Sequence, residues 1–317
     1  MAVQTWPEGG FGEASSSVGV GVVPATSHAT PNIPTAALSE TSHEKSIENY
    51  AYVFYATSNA YACSALVNIH RLRTIFNSKI PAILLASSGV SDLAISEMKR
   101  NGVEVIRDEP PPAAPGGSGY YRGVLLKLRA LRLHQIKPRL KRIQIFDADQ
   151  LIMKSPESLF ELPSVDVAAP LAYWLKTAVV TTSFLVVNLS EELWTIVNDA
   201  IHHIKKDEYD MDLVNQVLIK RLMVLPGRYC TLNSHWEALD VPGWFGNATG
   251  TVHATNEELV DLYEKAEILH FTAVGKPWSV RVKDVTLFSP RAHPLLKEQF
   301  KLWKKTAKDV CMFNYSR

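Results

Sequence analysis

Two carboxylates, Asp147 and Asp149, follow directly on an apolar run that contains Ile143, Ile145 and Phe146. A short β-branched and aromatic run of this kind reads as a buried strand. In open α/β sheets ligands sit beyond the carboxyl ends of strands, so this is where a hard cation would meet oxygen donors. A turn at Ala148 is expected, so that both carboxylates can reach one ion. A second chemical signal lies late in the chain, where His270 closes the run Ile268-Leu269 and Lys276 follows six residues on, against Pro277 and Trp278. An imidazole can bind metal or move a proton, and an ammonium can meet an anion. Lys127 and Asp210 complete the set. The first borders the apolar stripe of Val124, Leu125, Leu128 and Leu131; the second opens a helix over residues 209–222, with Asp212 beside it.

Each residue also has an ordinary reading. Asp147 and Asp149 could be solvated loop residues or caps, His270 a hydrogen-bonded structural histidine, and Lys127 a lysine whose stem lies along apolar surface. Asp210 and Asp212 could simply favour the helix dipole.

The elements that must position these groups follow from periodicity. Residues 52–56 read as a first strand, 57–61 as a polar turn and 62–76 as a helix with Leu66, Ile69, Leu72 and Phe76 on one face. Strands are expected at 82–86 and 103–106 with a helix at 91–101 between them. This βαβαβ series implies a parallel sheet with right-handed crossovers. The Pro- and Gly-dense segment 109–119 reads as a mobile loop that could cover a substrate. Beyond the acidic strand, a helical turn at 156–162, strands at 165–170 and 180–189 and a helix capped by Ser190 are expected. Residues 225–256 look irregular, suited to binding loops.

With 317 residues, 46% hydrophobic and 21% charged, the chain can bury a large core. A formal net charge of +1 gives no global attraction to nucleic acid or to an acidic membrane. No window offers the roughly 18 consecutive apolar residues of a membrane span, and the start lacks the pattern of a secretory signal. Cys63, Cys230 and Cys311 are odd in number and widely spaced, so they read as ordinary thiols, which favours a cytoplasmic location over the Golgi lumen. Three glycosylation-acceptor patterns, beginning at Asn188, Asn247 and Asn314, recur by chance and leave the compartment open. Residues 1–45, rich in Ser, Gly, Ala, Pro and Thr, read as a disordered tail. Residues 46–317 then form one domain, with a nucleotide-binding half (46–150), an acceptor and sugar half (151–290) and a C-terminal helical segment (291–317).

Taken together, Asp-Ala-Asp after a strand and His270-Phe-Thr-Ala-Val-Gly-Lys-Pro-Trp278 resemble glycosyltransferase family 8, the retaining sugar-nucleotide transferases that include glycogenin. The resemblance covers roughly residues 50–280. It implies the α/β fold of the GT-A type, with a mostly parallel central sheet flanked by helices. It further implies that Asp147, Asp149 and His270 hold Mn²⁺, with Mg²⁺ as the alternative, and that Lys276 and Gly275 meet the donor's diphosphate. Tyr55, Thr57, Ser58 and Tyr61 match the segment that holds uracil and ribose. Lys127 matches the lysine before the acidic strand, and Ala148, Thr181 and Ser183 fall in donor-contacting segments. Asp210 matches the acid beneath the donor sugar. The family's Asn-Ser-Gly segment reads Thr181-Thr182-Ser183 here, Met211 replaces a glutamine and Ala273 a glycine.

The implied activity is metal-dependent, retaining transfer of a hexose or N-acetylhexosamine from a UDP-sugar to an unidentified acceptor. A cation and Lys276 would meet charge growing on the departing diphosphate, and Asp210 would support the sugar. The alternative is an interaction or UDP-sugar-binding protein of the same fold with impaired catalysis, suggested by Thr181 and Met211. A phosphatase of the haloacid dehalogenase type would carry Asp-x-Asp on its first strand, and a dinucleotide enzyme would need a glycine-rich turn after residue 56. Neither pattern is present.

Overall fold

A computed structural model of the protein describes residues 47–112, 122–246 and 253–312. The expected tail, most of the Pro/Gly loop and the patterns at Asn247 and Asn314 lie outside the described residues.

The first half alternates strands and helices as β1 (Tyr50–Ala56), α1 (Asn59–His70), β2 (Ala82–Ala86), α2 (Asp92–Arg100) and β3 (Glu104–Arg107). A 3-10 helix, Arg122–Arg132, leads to β4 (Arg142–Phe146) and β5 (Gln150–Ile152). Then come β6 (Val167–Pro170), β7 (Phe184–Asn188), α3 (Glu191–His202), α4 (Asp210–Leu218), β8 (Leu222–Leu225) and β9 (Thr231–Leu232). The last elements are α5 (Asn256–Lys265), β10 (Ile268–His270), α6 (Val282–Phe288) and α7 (Pro294–Val310).

Seven strands form a mostly parallel sheet in the order β3-β2-β1-β4-β7-β6-β8, and β5-β10-β9 form a small second sheet. Alternate residues of β1 enter two apolar layers. Tyr52, Phe54 and Ala56 pack toward α1 and α7, while Ala51, Val53 and Tyr55 pack toward Leu125, Leu128 and Leu131 of the 3-10 helix. Only β7 breaks the parallel pattern, running antiparallel to both β4 and β6. Its entry therefore lies at the exit of β4. Phe146 faces Phe184 across the pair, and the Asp147 amide donates to the Ser183 carbonyl at 2.9 Å.

Several expectations need correction. Helix α1 starts at Asn59 rather than 62, with Ser58 at its cap, so the polar turn shrinks to Thr57 and Ser58. The helix bearing Lys127 is 3-10, at about three residues per turn. That winding puts Leu125, Leu128 and Leu131 on one edge and Val124, Lys127 and Ala130 on the next. Lys127 is consequently 1% exposed, inside the protein rather than at a border. Cys63 and Cys311 form a disulfide across 248 positions, which leaves Cys230 as the free thiol. Sequence spacing could not show this pair because the packing of α1 on α7 creates it. Among the described residues no helix is long and apolar enough to cross a membrane.

Candidate active site

Beyond the end of β4 the backbone turns through Ala148 and Asp149 before re-entering extended structure at Gln150. The next contact is set by strand register. β10 runs antiparallel to β5 with His270 opposite Gln150, and the Phe271 amide donates to the Asp149 carbonyl at 2.9 Å. The His270 imidazole is thereby brought to the second carboxylate, with Nε2 3.3 Å from Asp149 Oδ1. Asp147, Asp149 and His270 each present one donor atom such that all three lie within 4.8 Å of one another. Two carboxylate oxygens and an imidazole nitrogen suit Mn²⁺ or Mg²⁺, with positions left for substrate oxygens. The donor set fits the metal that the sequence resemblance implies.

Three cations hold this acidic turn together. Lys127 Nζ lies 2.6 Å from Asp147 Oδ1 and 2.8 Å from Asp210 Oδ2, and it donates to the Thr182 carbonyl at 3.1 Å. Lys276 Nζ pairs with the other oxygen of Asp149 at 2.5 Å and donates to the Phe271 carbonyl at 2.9 Å. His270 is the third. Burial alone would push its pKa down, but Asp149 outweighs that and raises it to about 10. Asp149 moves oppositely: burial would raise it, yet His270 and then Lys276 hold it far below the usual carboxylate range. Burial raises Asp147 despite the opposing charge of Lys127, with Asp149 and Asp210 adding to the rise. For Lys127, burial favours the neutral form but is outweighed by Asp147 and Asp210, so the ammonium stays charged.

Asp210 stands at the first turn of α4, and the Thr182 hydroxyl donates to its Oδ2. Asp212 is committed elsewhere, accepting the Tyr209 amide at 2.9 Å in a capping box. Thr182 and Asn215 are participants that motif matching did not single out. Asn215 exchanges hydrogen bonds of 2.9 and 2.8 Å with the backbone of Val180, holding the segment 180–183 against α4. Its position, five residues after Asp210 on one helix, was the available signal.

The other expected site residues are distributed around this centre. Tyr55 donates its hydroxyl to Asp147 Oδ1 at 2.7 Å, behind the acidic turn. Thr181 donates to Ser183 Oγ at 3.0 Å, and Ser183 Oγ lies 3.1 Å from Cys230 Sγ, so both side chains belong to a buried network. Cys230 Sγ in turn stands 3.7 Å from His270 Nδ1. The Tyr61 ring packs on Trp278 at 5.0 Å. Thr57 lies against Gly123, where an added Cβ would come within 3.1 Å of its methyl carbon. After His270, the Asn233 carboxamide oxygen accepts the Thr272 and Ala273 amides, each at 2.7 Å. Val274 and Gly275 then adopt φ of 64° and 120° to bring Lys276 back over the acidic turn.

No protein-family model matches the chain. It is 27% identical over 256 residues to an Aspergillus fumigatus protein called glucose N-acetyltransferase 1, and 23% identical over 247 residues to a Gibberella zeae protein of the same name. Each match takes in 72% of this chain but only 64% and 53% of those relatives, so the chain spans less than two thirds of their length. Among solved structures, the galactosyltransferase LgtC in complex with donor and acceptor sugar analogs superposes with a TM-score of 0.56 at 14% identity, over 83% of this chain and 97% of that one. The bifunctional glycosyltransferase WbbM superposes with a TM-score of 0.56 at 13% identity, over 83% of this chain and 50% of that one. The chain therefore has the mixed α/β fold of GT-A glycosyltransferases, with its acidic turn at the carboxyl end of β4.

Proposed function

We propose that the chain is a metal-dependent, retaining glycosyltransferase that moves a sugar from a UDP-sugar to an acceptor hydroxyl. The observation that carries this reading is the convergence of Asp147, Asp149 and His270 within 4.8 Å, with Lys276 paired to Asp149 and Asp210 joined to Asp147 through Lys127. Asp147, Asp149 and His270 would hold Mn²⁺, or Mg²⁺, which when bound supplies Lewis-acid stabilisation of a departing diphosphate.

The chain's own groups do the rest. Lys276 brings a second positive charge to the phosphates, carried there by the turn at Val274 and Gly275. Lys127 and the Thr182 hydroxyl hold the Asp210 carboxylate in one orientation. Asp210 then supports positive charge developing at the anomeric carbon. Tyr61, with Trp278 behind it, and Thr57 and Ser58 at the β1 exit form the nucleoside side of the site. The sugar moved is a hexose or an N-acetylhexosamine. The Cys63–Cys311 bond favours an oxidising compartment over the cytoplasm.

The test is a panel of UDP-sugars with Mn²⁺, scored for UDP release and for binding. Release with one donor supports transfer and identifies the sugar; neither release nor binding with any donor overturns it. A second reading, a donor-binding protein with impaired turnover, draws on Asp147 and Asp210 both being engaged by Lys127. Saturable donor binding without release to any acceptor would select that reading.

A further inference from the structure

Helix α1 is buried almost all round, yet it carries Ser64 and Asn68, and Arg71 follows directly on its last residue, so the three continue at i, i+4 and i+7 as a single stripe of polar side chains. These side chains meet the backbone of the acidic turn and of β5. Ser64 Oγ donates to the Ala148 carbonyl, Asn68 Nδ2 to the Gln150 carbonyl at 2.8 Å, and Arg71 Nε to the Ile152 carbonyl at 2.6 Å. Asn68 Oδ1 also accepts the Ile152 amide at 2.9 Å. The carbonyls of Gln150 and Ile152 point to one side of β5, with that of Ala148 in the turn just before it, and β10 pairs with β5 along the other side. The helix face thus takes the place of a strand on that edge.

A second helix locks the stripe. Trp303 of α7, fully buried, donates its indole N–H to Ser64 Oγ at 3.1 Å, so the hydroxyl donates once and accepts once. Cys63, beside Ser64, is bonded to Cys311 just past the end of α7. Trp303 also stands 6.3 Å from Trp278, two residues beyond Lys276.

We propose that Ser64, Asn68 and Trp303 are positioning residues for the Asp147–Ala148–Asp149 turn, with the Cys63–Cys311 bond holding the two helices in register. They touch neither metal nor donor; they set the path of the backbone from which Asp149 projects. Ligand-supporting partners of this kind typically influence metal affinity by about 10–100-fold. The inference deepens the proposed function and rests on its metal site.

Ser64→Ala, Asn68→Leu, Trp303→Phe and Cys311→Ser test it, with Val197→Ala, buried in the opposite apolar layer, as the destabilised control. Mn²⁺ affinity is measured by paramagnetic resonance well below each variant's melting temperature. Hydrogen exchange of the peptide spanning residues 148–153 is measured without metal. Ser64→Ala and Trp303→Phe should weaken Mn²⁺ about tenfold or more, and Asn68→Leu should speed exchange at Ile152, while Val197→Ala changes neither. Cys311→Ser should shift both readouts in the same direction. Exchange and affinity matching the control in all variants would overturn the positioning role. Failure of the unaltered protein to bind Mn²⁺ would overturn the metal reading instead, and exchange would then decide whether α1 still governs the turn.

Discussion

Lys127 Nζ and Asp210 Oδ2 stand 2.8 Å apart in a part of the protein closed to solvent, the lysine 1% and the aspartate 6% exposed. The same ammonium reaches Asp147 Oδ1, so one cation joins the acid assigned to the sugar with an acid assigned to the metal. Removing one partner of a buried ion pair leaves the others uncompensated, which costs far more than a surface pair is worth.

Replacing Lys127 with Met should therefore destabilise the protein by about 3–5 kcal/mol. Lys127→Arg should fail to restore it, because a planar guanidinium cannot occupy the point where Asp147, Asp210 and the Thr182 carbonyl converge. Urea unfolding of the three proteins measures both effects.

Asp149→Asn and Asp210→Asn should fail differently. The first removes a metal donor and should abolish Mn²⁺ binding together with turnover. The second should leave Mn²⁺ and UDP affinity near the unaltered level while lowering kcat by roughly 10²–10³-fold. Calorimetry beside a UDP-release assay separates these outcomes. A pure affinity loss in Asp210→Asn would remove that residue from the catalytic group.

The raised pKa of His270 gives a pH dependence. Because its folded value is about 10 against an ordinary 6.5, the pair with Asp149 stabilises the metal-free fold fully below about pH 6.5 and is lost as pH rises through about 10. A metal must displace that proton, so Mn²⁺ affinity should rise by up to about tenfold per pH unit across this window. Titrations at about pH 6.5, 7.5 and 8.5 measure the slope, and His270→Gln should flatten it.

The loop after His270 carries backbone strain that can be relieved. Val274 is β-branched at φ 64°, so Val274→Gly should raise stability by up to about 1 kcal/mol. Gly275→Ala should lower it by about 1–3 kcal/mol, since φ is 120° there and an added Cβ would lie 3.0 Å from Val280 Cγ2. Thermal melts of the two variants should shift in opposite directions.

What the sequence made legible divides by the range of the contact involved. The strand at 82–86 and the core of β1 and β4 follow from local apolar runs, and Ser190 caps α3 with its hydroxyl accepting the Leu193 amide at 3.1 Å, as local chemistry dictates. Lys127 departs from its expected border position because an 11-residue 3-10 helix is set by tertiary packing, which turns that position inward. Asp149 and His270 are 121 residues apart, and only the β5–β10 register joins them; motif resemblance, not periodicity, pointed to that meeting. Ser64, Asn68 and Arg71 had helical spacing, but polar residues on a helix ordinarily mark a solvent face. Cys63 and Cys311 gave no sign of pairing, since their proximity depends on α7 returning to α1 at the far end of the chain.

The most direct measurement is anomalous diffraction at the manganese edge from crystals grown with Mn²⁺ and UDP. A single strong peak coordinated by Asp147, Asp149 and His270, with diphosphate oxygens on its open side and Lys276 against them, is the expected result. A peak remote from that triad, or UDP bound away from the carboxyl end of β4, would contradict the account.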